Sequence, residues 1–362
     1  MTKIEKLIKE RYIPDALMMD SGKRASTPEE FYLRREEIKK LLMEKEYGII
    51  PRKPDKMRVE VLEDFDNFCA GKAPRKKLSF ICELDGSEFS FVAYSVIPKG
   101  KKDLPAFVHI NFRPDVPDRY MPSEEIADRG YAVFSFFYED VAKDSGDFES
   151  GCAKYLCKDR TKKNAAGKIA MWAWAAMRIM DHIETLPEID KENVAVVGHS
   201  RLGKTALVTG GFDKRFKYVI SNDSGCSGAA LSRGKGGESV ERICEVFPFW
   251  FCPEYVENSS EFEKCGFDQN FLLTLSVPRH LMIGSAKEDL WADPTSEFLN
   301  LASMKEAYGI FGMKGLIHED EIPSAKSWLG KGEALYQIRN GNHYFSREDW
   351  LAYMDYIDSK TK

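Results

Sequence analysis

The chain has 362 residues, 43% of them hydrophobic and 31% charged, with a formal net charge of -5. That makeup is ordinary for a globular protein with ample material for a core. It offers no concentrated basic face for a nucleic acid. No segment approaches the roughly twenty consecutive apolar residues that a membrane helix needs. Neither kind of partner is expected.

The residues from Met1 to Asp15 are charged and amphipathic, without the continuous apolar stretch of a secretory signal, so a cytoplasmic location is expected. In that compartment the eight cysteines should be free thiols. They contain no C-x-x-C pair, and the six histidines show no zinc-like spacing. No metal or other cofactor is expected.

The first fifty residues read as a helical appendage that packs on the main domain. Thr27, Pro28 and Glu30 signal a helix start, and the helix should run to about Glu46. The main domain is expected over 51–362. Strand-like runs follow at Arg58–Leu62, Lys77–Glu83 and Glu88–Ile97, the last two joined through Asp85-Gly86. From Leu104 the pattern changes to short apolar runs separated by helical stretches. The runs are Ala106–Ile110, Tyr131–Phe136, Val194–Val197, Lys217–Ser221, His280–Ser285 and Ala334–Ile338. Helices are expected at Ser123–Arg129, about Ala165–Leu186 and Ser346–Ile357. Buried strands alternating with helices predict an α/β fold: a mostly parallel central sheet, antiparallel where the chain leads in, with helices on both faces. The stretch from about 225 to 270 breaks this rhythm and is too long for a simple connection. It reads as an insertion forming one wall of a site.

The segment Val194–Leu207 reads as strand, sharp turn and helix, with Ser200 at the turn. A serine there is pushed out at the carboxyl end of the sheet, where open α/β folds bind ligands. The helix start behind it offers free N–H groups to a developing oxyanion. The second glycine stands at Gly203 rather than at position 202, so Gly198 to Thr205 also fits a phosphate-binding pattern, with Lys204 and Thr205 as phosphate and Mg²⁺ contacts. The bulky interior His199-Ser200-Arg201-Leu202 speaks against that rival.

A serine needs a base. Of the three histidines after Ser200, His280 begins a buried strand and His318 lies in an acidic loop. His343 stands between the last strand and the final helix, where the base of this fold class is expected. Three carboxylates compete for the acid. Glu288 and Asp289 follow the strand ending near Ser285, and Asp223 follows the strand before it.

The run Gly198-His199-Ser200-Arg201-Leu202-Gly203-Lys204 resembles the G-C-S-R-x-G-K motif of the glucuronoyl esterases, carbohydrate esterase family 15. The resemblance continues through Asp223-Ser224-Gly225-Cys226-Ser227-Gly228, the Trp291 loop and Asn342-His343, and spans about Pro105 to the C-terminus. It implies an α/β-hydrolase that cleaves esters of glucuronic acid through a Ser–acid–His triad without a metal. The family's usual acid resembles Asp223 in placement, while some bacterial relatives use a later one, which keeps Asp289 open. Arg201 would stabilise the oxyanion, Lys204 would contact the uronate hydroxyls, and Glu238 and Trp291 would bind the sugar. Chemically these roles are sensible: a guanidinium beside the nucleophile has several fixed donors, Lys204 lies one turn from Ser200, and an indole gives a sugar face an apolar wall. His199 departs from the fungal cysteine. The expected partner is a small-molecule or oligosaccharide ester, glucuronoyl esters first. Acetylated sugars are the alternative substrate, and a carbohydrate-binding pseudoenzyme the non-enzymatic one.

Overall fold

In the computed structural model, which describes residues 1–361, ten strands form a single sheet. They are β1 (Lys56–Phe65), β2 (Arg75–Leu84), β3 (Ser87–Val96), β4 (Leu104–Asn111), β5 (Ala132–Phe137), β6 (Ile189–His199), β7 (Tyr218–Asn222), β8 (His280–Ala286), β9 (Ser327–Leu329) and β10 (Ala334–Arg339). Their order is β1-β2-β3-β5-β4-β6-β7-β8-β10-β9. The strands β5, β4, β6, β7, β8 and β10 run parallel. The three leading strands pair antiparallel, and β9 closes the far edge antiparallel to β10. This is the mostly parallel sheet that the sequence predicts. The short β9, from a stretch with little strand character, is an addition to it.

The central strands are apolar at nearly every position because helices cover both faces. Side chains alternate in direction along a strand, so neighbours serve opposite cores. Val108, Phe134, Val196, Val219 and Ile283 enter one cluster with the helices Lys168–Ile183 and Arg201–Phe212. Phe107, Val133, Val197, Ile220 and Met282 enter the other, with Trp350, Tyr353 and Ile357 of the final helix Arg347–Thr361.

The helix Lys168–Ile183 is buried almost all round, and Trp172 and Trp174 are wholly inside. A buried indole N–H needs an acceptor. Trp172 Nε1 donates to the Ala142 carbonyl at 2.8 Å and Trp174 Nε1 to the Arg52 carbonyl at 2.9 Å.

The N-terminal fifty residues contain helices Lys3–Lys9 and Pro28–Lys45. Ile4, Phe31, Ile38, Leu42 and Tyr47 share the core that holds Trp172. Tyr47 Oη donates to the Ser227 carbonyl at 3.1 Å, and Cys252 N to the Glu46 carbonyl at 2.8 Å, so this segment is bonded directly to the 225–270 stretch. That stretch folds into short helical turns, including Val240–Val246 and Pro253–Glu257. All eight cysteines are free. Among the described residues no helix is long and apolar enough to cross a membrane.

Candidate active site

Strand β6 ends at His199, and the helix Arg201–Phe212 starts two residues later. Ser200 is the whole of the turn between them. Its backbone is held at φ 58° and ψ -128°, a conformation that costs a non-glycine residue free energy and persists only when the surroundings impose it. They do so from both sides. Ser200 N donates to the Asn222 carbonyl at 2.8 Å, and Gly203 N and Lys204 N donate back to the Ser200 carbonyl. A Cβ on Gly198 would lie 2.1 Å from the Leu202 carbonyl oxygen, so only glycine fits there. The displaced second glycine has a packing reason as well. A Cβ on Gly203 would come within 2.9 Å of Ser221 Oγ, where the helix packs against β7.

The same geometry removes the phosphate-loop reading. Lys204 and Thr205 lie within the helix. Lys204 is 3% exposed and its ammonium donates to the Ser224 carbonyl, while Thr205 Oγ1 donates to the Arg201 carbonyl at 3.0 Å.

His343 sits in the loop after β10. Its ring stands 4.5 Å, centroid to centroid, from that of His199, the residue before Ser200. Its Nδ1 donates to Asp289 Oδ2 at 2.6 Å. The two loops are joined through their backbones as well: Lys287 N bonds the Arg339 carbonyl at 2.9 Å and Glu288 N the Gly341 carbonyl at 3.0 Å. Burial is the strongest single influence and raises the Asp289 carboxyl, but the bond and electrostatic pull of His343, with the Ala292 N–H and His199, together outweigh it and hold the carboxyl below the ordinary aspartate value.

Of the three carboxylates that compete in the sequence, the one bonded to His343 is therefore Asp289. Asp223, placed first from the sequence, lies beside this pair, within 4.8 Å of it, but makes its bond to Arg339 and not to His343. It is 1% exposed, its N–H is tied to the Gly284 carbonyl at 2.7 Å, and its Oδ2 accepts from Arg339 Nη2 at 3.2 Å. Burial and the neighbouring Glu297 push its carboxyl well above the usual range, with Arg339 opposing them. Arg339 in turn donates to the carbonyls of Asn340, Asn342 and Tyr344 and to Asp349, so it shapes the loop that carries His343. Nothing in the sequence marks Arg339 for that duty.

His199 is neutral: burial first, then His343, lowers its pKa to about 3. Its Nδ1 donates to Asn222 Oδ1 at 2.7 Å. Of the other two histidines that follow Ser200, His280 stacks on Tyr218 in the core at 4.8 Å, and His318 packs edge-on to Phe298.

The guanidinium of Arg201 lies among Trp250, Phe247 and Phe112, at 4.7, 5.3 and 5.7 Å from the ring centroids. Its Nη1 is bonded to Asp144. Phe247 and Trp250 belong to the 225–270 stretch, which thus packs against the side chain of the residue that follows the serine. Glu238 lies close enough to Lys204 to raise the ammonium's pKa, though burial outweighs it and lowers the value overall. Glu238 N donates to the Trp291 carbonyl at 3.1 Å, and the Trp291 side chain is 56% exposed rather than part of the core. Glu238 therefore lies near Lys204, and its backbone is joined to that of Trp291. A cavity of about 190 Å³ opens beside His343 and His199, lined also by Asn111, Phe112, Arg113, Tyr120 and Tyr344.

Among the described residues, Asp223, Asp289 and His343 are the one set whose ligand atoms could converge on a metal ion, within 4.8 Å of one another. The Nδ1 of His343 is already committed to Asp289, and Arg339 sets a positive charge against Asp223, so the donor set fits a cation poorly.

Residues 82–312 match the family model described as glucuronyl esterase, fungi. The chain is 32% identical to carbohydrate esterase MZ0003 from an unknown prokaryotic organism, over 96% of this chain and 89% of that one. Among solved structures it superposes with TM-score 0.86 on a promiscuous esterase of carbohydrate esterase family 15 from a marine bacterial metagenome (30% identity, 96% of each chain). It superposes with TM-score 0.88 on a glucuronoyl esterase from Solibacter usitatus (27% identity, 97% of this chain and 98% of that one). With its strand order, its serine turn and these relatives, the chain belongs to the glucuronoyl esterase family and is a carboxylic ester hydrolase of the α/β-hydrolase fold.

Proposed function

We propose that the protein hydrolyses glucuronoyl esters of carbohydrates, with Ser200 as nucleophile, His343 as base and Asp289 as the acid that orients it. The observation that carries this reading is the Asp289–His343 bond at 2.6 Å, set against the residue preceding a serine held at φ 58°.

In the first half-reaction Ser200 Oγ attacks the ester carbonyl while His343 Nε2 takes its proton. Asp289 holds the Nδ1 proton and stabilises the imidazolium that forms. The oxyanion is met by the Arg201 guanidinium and by its backbone N–H at the helix start. His343 returns the proton to the departing alcohol, leaving an ester on Ser200. Water, deprotonated by His343, then attacks that ester, and collapse releases the acid and restores the serine. The alcohol must leave past His343, which assigns the alcohol half to the cavity at Tyr120 and Tyr344. The acyl half falls to the opposite side, with Lys204, Glu238 and Trp291. Curated relatives named 4-O-methyl-glucuronoyl methylesterase support the uronate as acyl group, one from Neurospora crassa being 26% identical over 83% of this chain.

A second reading is a broader acyl range that takes acetylated sugars. It is favoured by the marine relative, described as promiscuous. Comparing kcat/KM for benzyl glucuronate and for an aryl acetate tests the two. A preference of tenfold or more for the glucuronate is expected, and the reverse preference sinks the uronate reading.

A further inference from the structure

We propose that Asp144, which no sequence motif marks, is the positioning residue that fixes the Arg201 guanidinium for the oxyanion. The proposal rests on the serine-hydrolase reading above.

Asp144 is the carboxylate bonded to Arg201, through Oδ2 and Nη1. Its two oxygens are held by three separate parts of the fold. Trp250 Nε1, from the inserted stretch, donates to Oδ1 at 2.6 Å, and Tyr138 Oη donates to Oδ2 at 3.1 Å. The loop that carries Asp144 is itself pinned. Asp144 N donates to Glu139 Oε1 at 3.1 Å, Trp172 Nε1 holds the Ala142 carbonyl, and the buried Lys168 ammonium donates to the Asp147 carbonyl with Phe148 beneath it at 4.1 Å. The carboxylate is therefore a rigid point, with its side chain only 9% exposed.

Arginine has a long flexible stem, and a guanidinium is an effective oxyanion donor only if it waits in place. Asp144 engages one terminal nitrogen, and the three aromatic rings confine the plane. Arg201 Nε is buried and has no partner. That atom is closed to solvent, but the side chain as a whole is 25% exposed, so with Nη1 given to Asp144 the other terminal nitrogen, Nη2, is the donor left to meet a developing alkoxide. The grip on Nη1 is what leaves that donor unspent.

The test is a double-mutant cycle on Asp144→Asn and Arg201→Ala, read with an aryl acetate and with benzyl glucuronate. The acetate reports serine chemistry whichever ester is the natural one. Expected is a fall in kcat of roughly 10- to 100-fold for Asp144→Asn with KM changed less than about threefold. The fall should vanish when Arg201 is already Ala, and Asp144→Glu should recover part of it. Multiplicative losses in the double variant, or a change confined to KM, would overturn the proposal. So would full kcat in Asp144→Asn alongside a damaged Arg201→Ala. Full kcat in Arg201→Ala would overturn the oxyanion role of Arg201 and the proposal with it. If Asp144→Asn folds poorly, Trp250→Phe removes one tether of Asp144 and should lower kcat in the same direction, again only while Arg201 is present. Unchanged kcat there would count against the proposal.

Discussion

Asp289 accepts the Nδ1 proton of His343 at 2.6 Å, whereas Asp223, one strand earlier, is turned to Arg339. The two carboxylates should therefore behave differently when each is made an amide. Asp289→Asn removes the charge that steadies the imidazolium and offers Nδ1 an amide donor that favours the wrong tautomer, and kcat should fall by roughly 10²- to 10⁴-fold. Asp223 is pushed toward its neutral form by burial, and an amide is close in shape to a neutral carboxyl. Asp223→Asn should cost less than about tenfold. Steady-state kinetics on both variants check this, and a larger loss at Asp223 would exchange their roles.

Gly198 has no room for a methyl group, since a Cβ would meet the Leu202 carbonyl at 2.1 Å. Backbone cannot yield as a flexible side chain can. Gly198→Ala should destabilise the fold by more than about 2 kcal/mol and abolish activity with it. Thermal unfolding measures the first effect. A variant with native melting temperature and native turnover would show that the serine turn is looser than described.

Trp291 is exposed, so its removal should leave the fold intact. If it forms a wall for the sugar, Trp291→Ala should raise KM for benzyl glucuronate about tenfold and change kcat less, while an aryl acetate without a sugar should be indifferent. Equal losses on both substrates would mean that Trp291 supports the loop of Asp289 instead.

Glu46 is wholly buried where the N-terminal segment meets the inserted stretch. Gln269 Nε2 donates to its Oε1 at 2.8 Å, and its Oε2 has no partner. Burial raises its pKa to about 8. The sign follows from linkage. The unfolded chain releases this proton near pH 4.5 and the folded one only near pH 8, so the stability Glu46 contributes is fully present below pH 4.5 and is lost as pH rises to about 8. Glu46→Gln should raise the melting temperature at pH 8 to 9 by roughly 2–5 °C and change little at pH 5. An equal shift at both pH values would remove the titration from the explanation.

Much of this arrangement is legible in the sequence, and the exceptions have physical causes. The parallel strands show as apolar runs because both sheet faces are covered. Ser200 and His343 show because chemistry confines them to the ends of β6 and β10. The choice between Asp223 and Asp289 does not show, since both loops open at the same sheet edge and only side-chain direction separates them. Asp144 sits in an acidic loop, Tyr138-Glu139-Asp140 through Glu149, whose composition is that of a solvated turn. Its partners Trp250 and Arg201 are distant in the chain, and only the folded insertion brings them together. The N-terminal fifty residues look polar, and their few apolar positions reveal their depth only against the core they join.

The most direct measurement is hydrolysis of benzyl glucuronate by the wild-type chain and by Ser200→Ala, with the variant's fold checked by thermal unfolding. Rapid wild-type turnover and a loss of several orders of magnitude in a folded variant are expected. A folded Ser200→Ala protein that still cleaves the ester at the wild-type rate would contradict the serine mechanism outright.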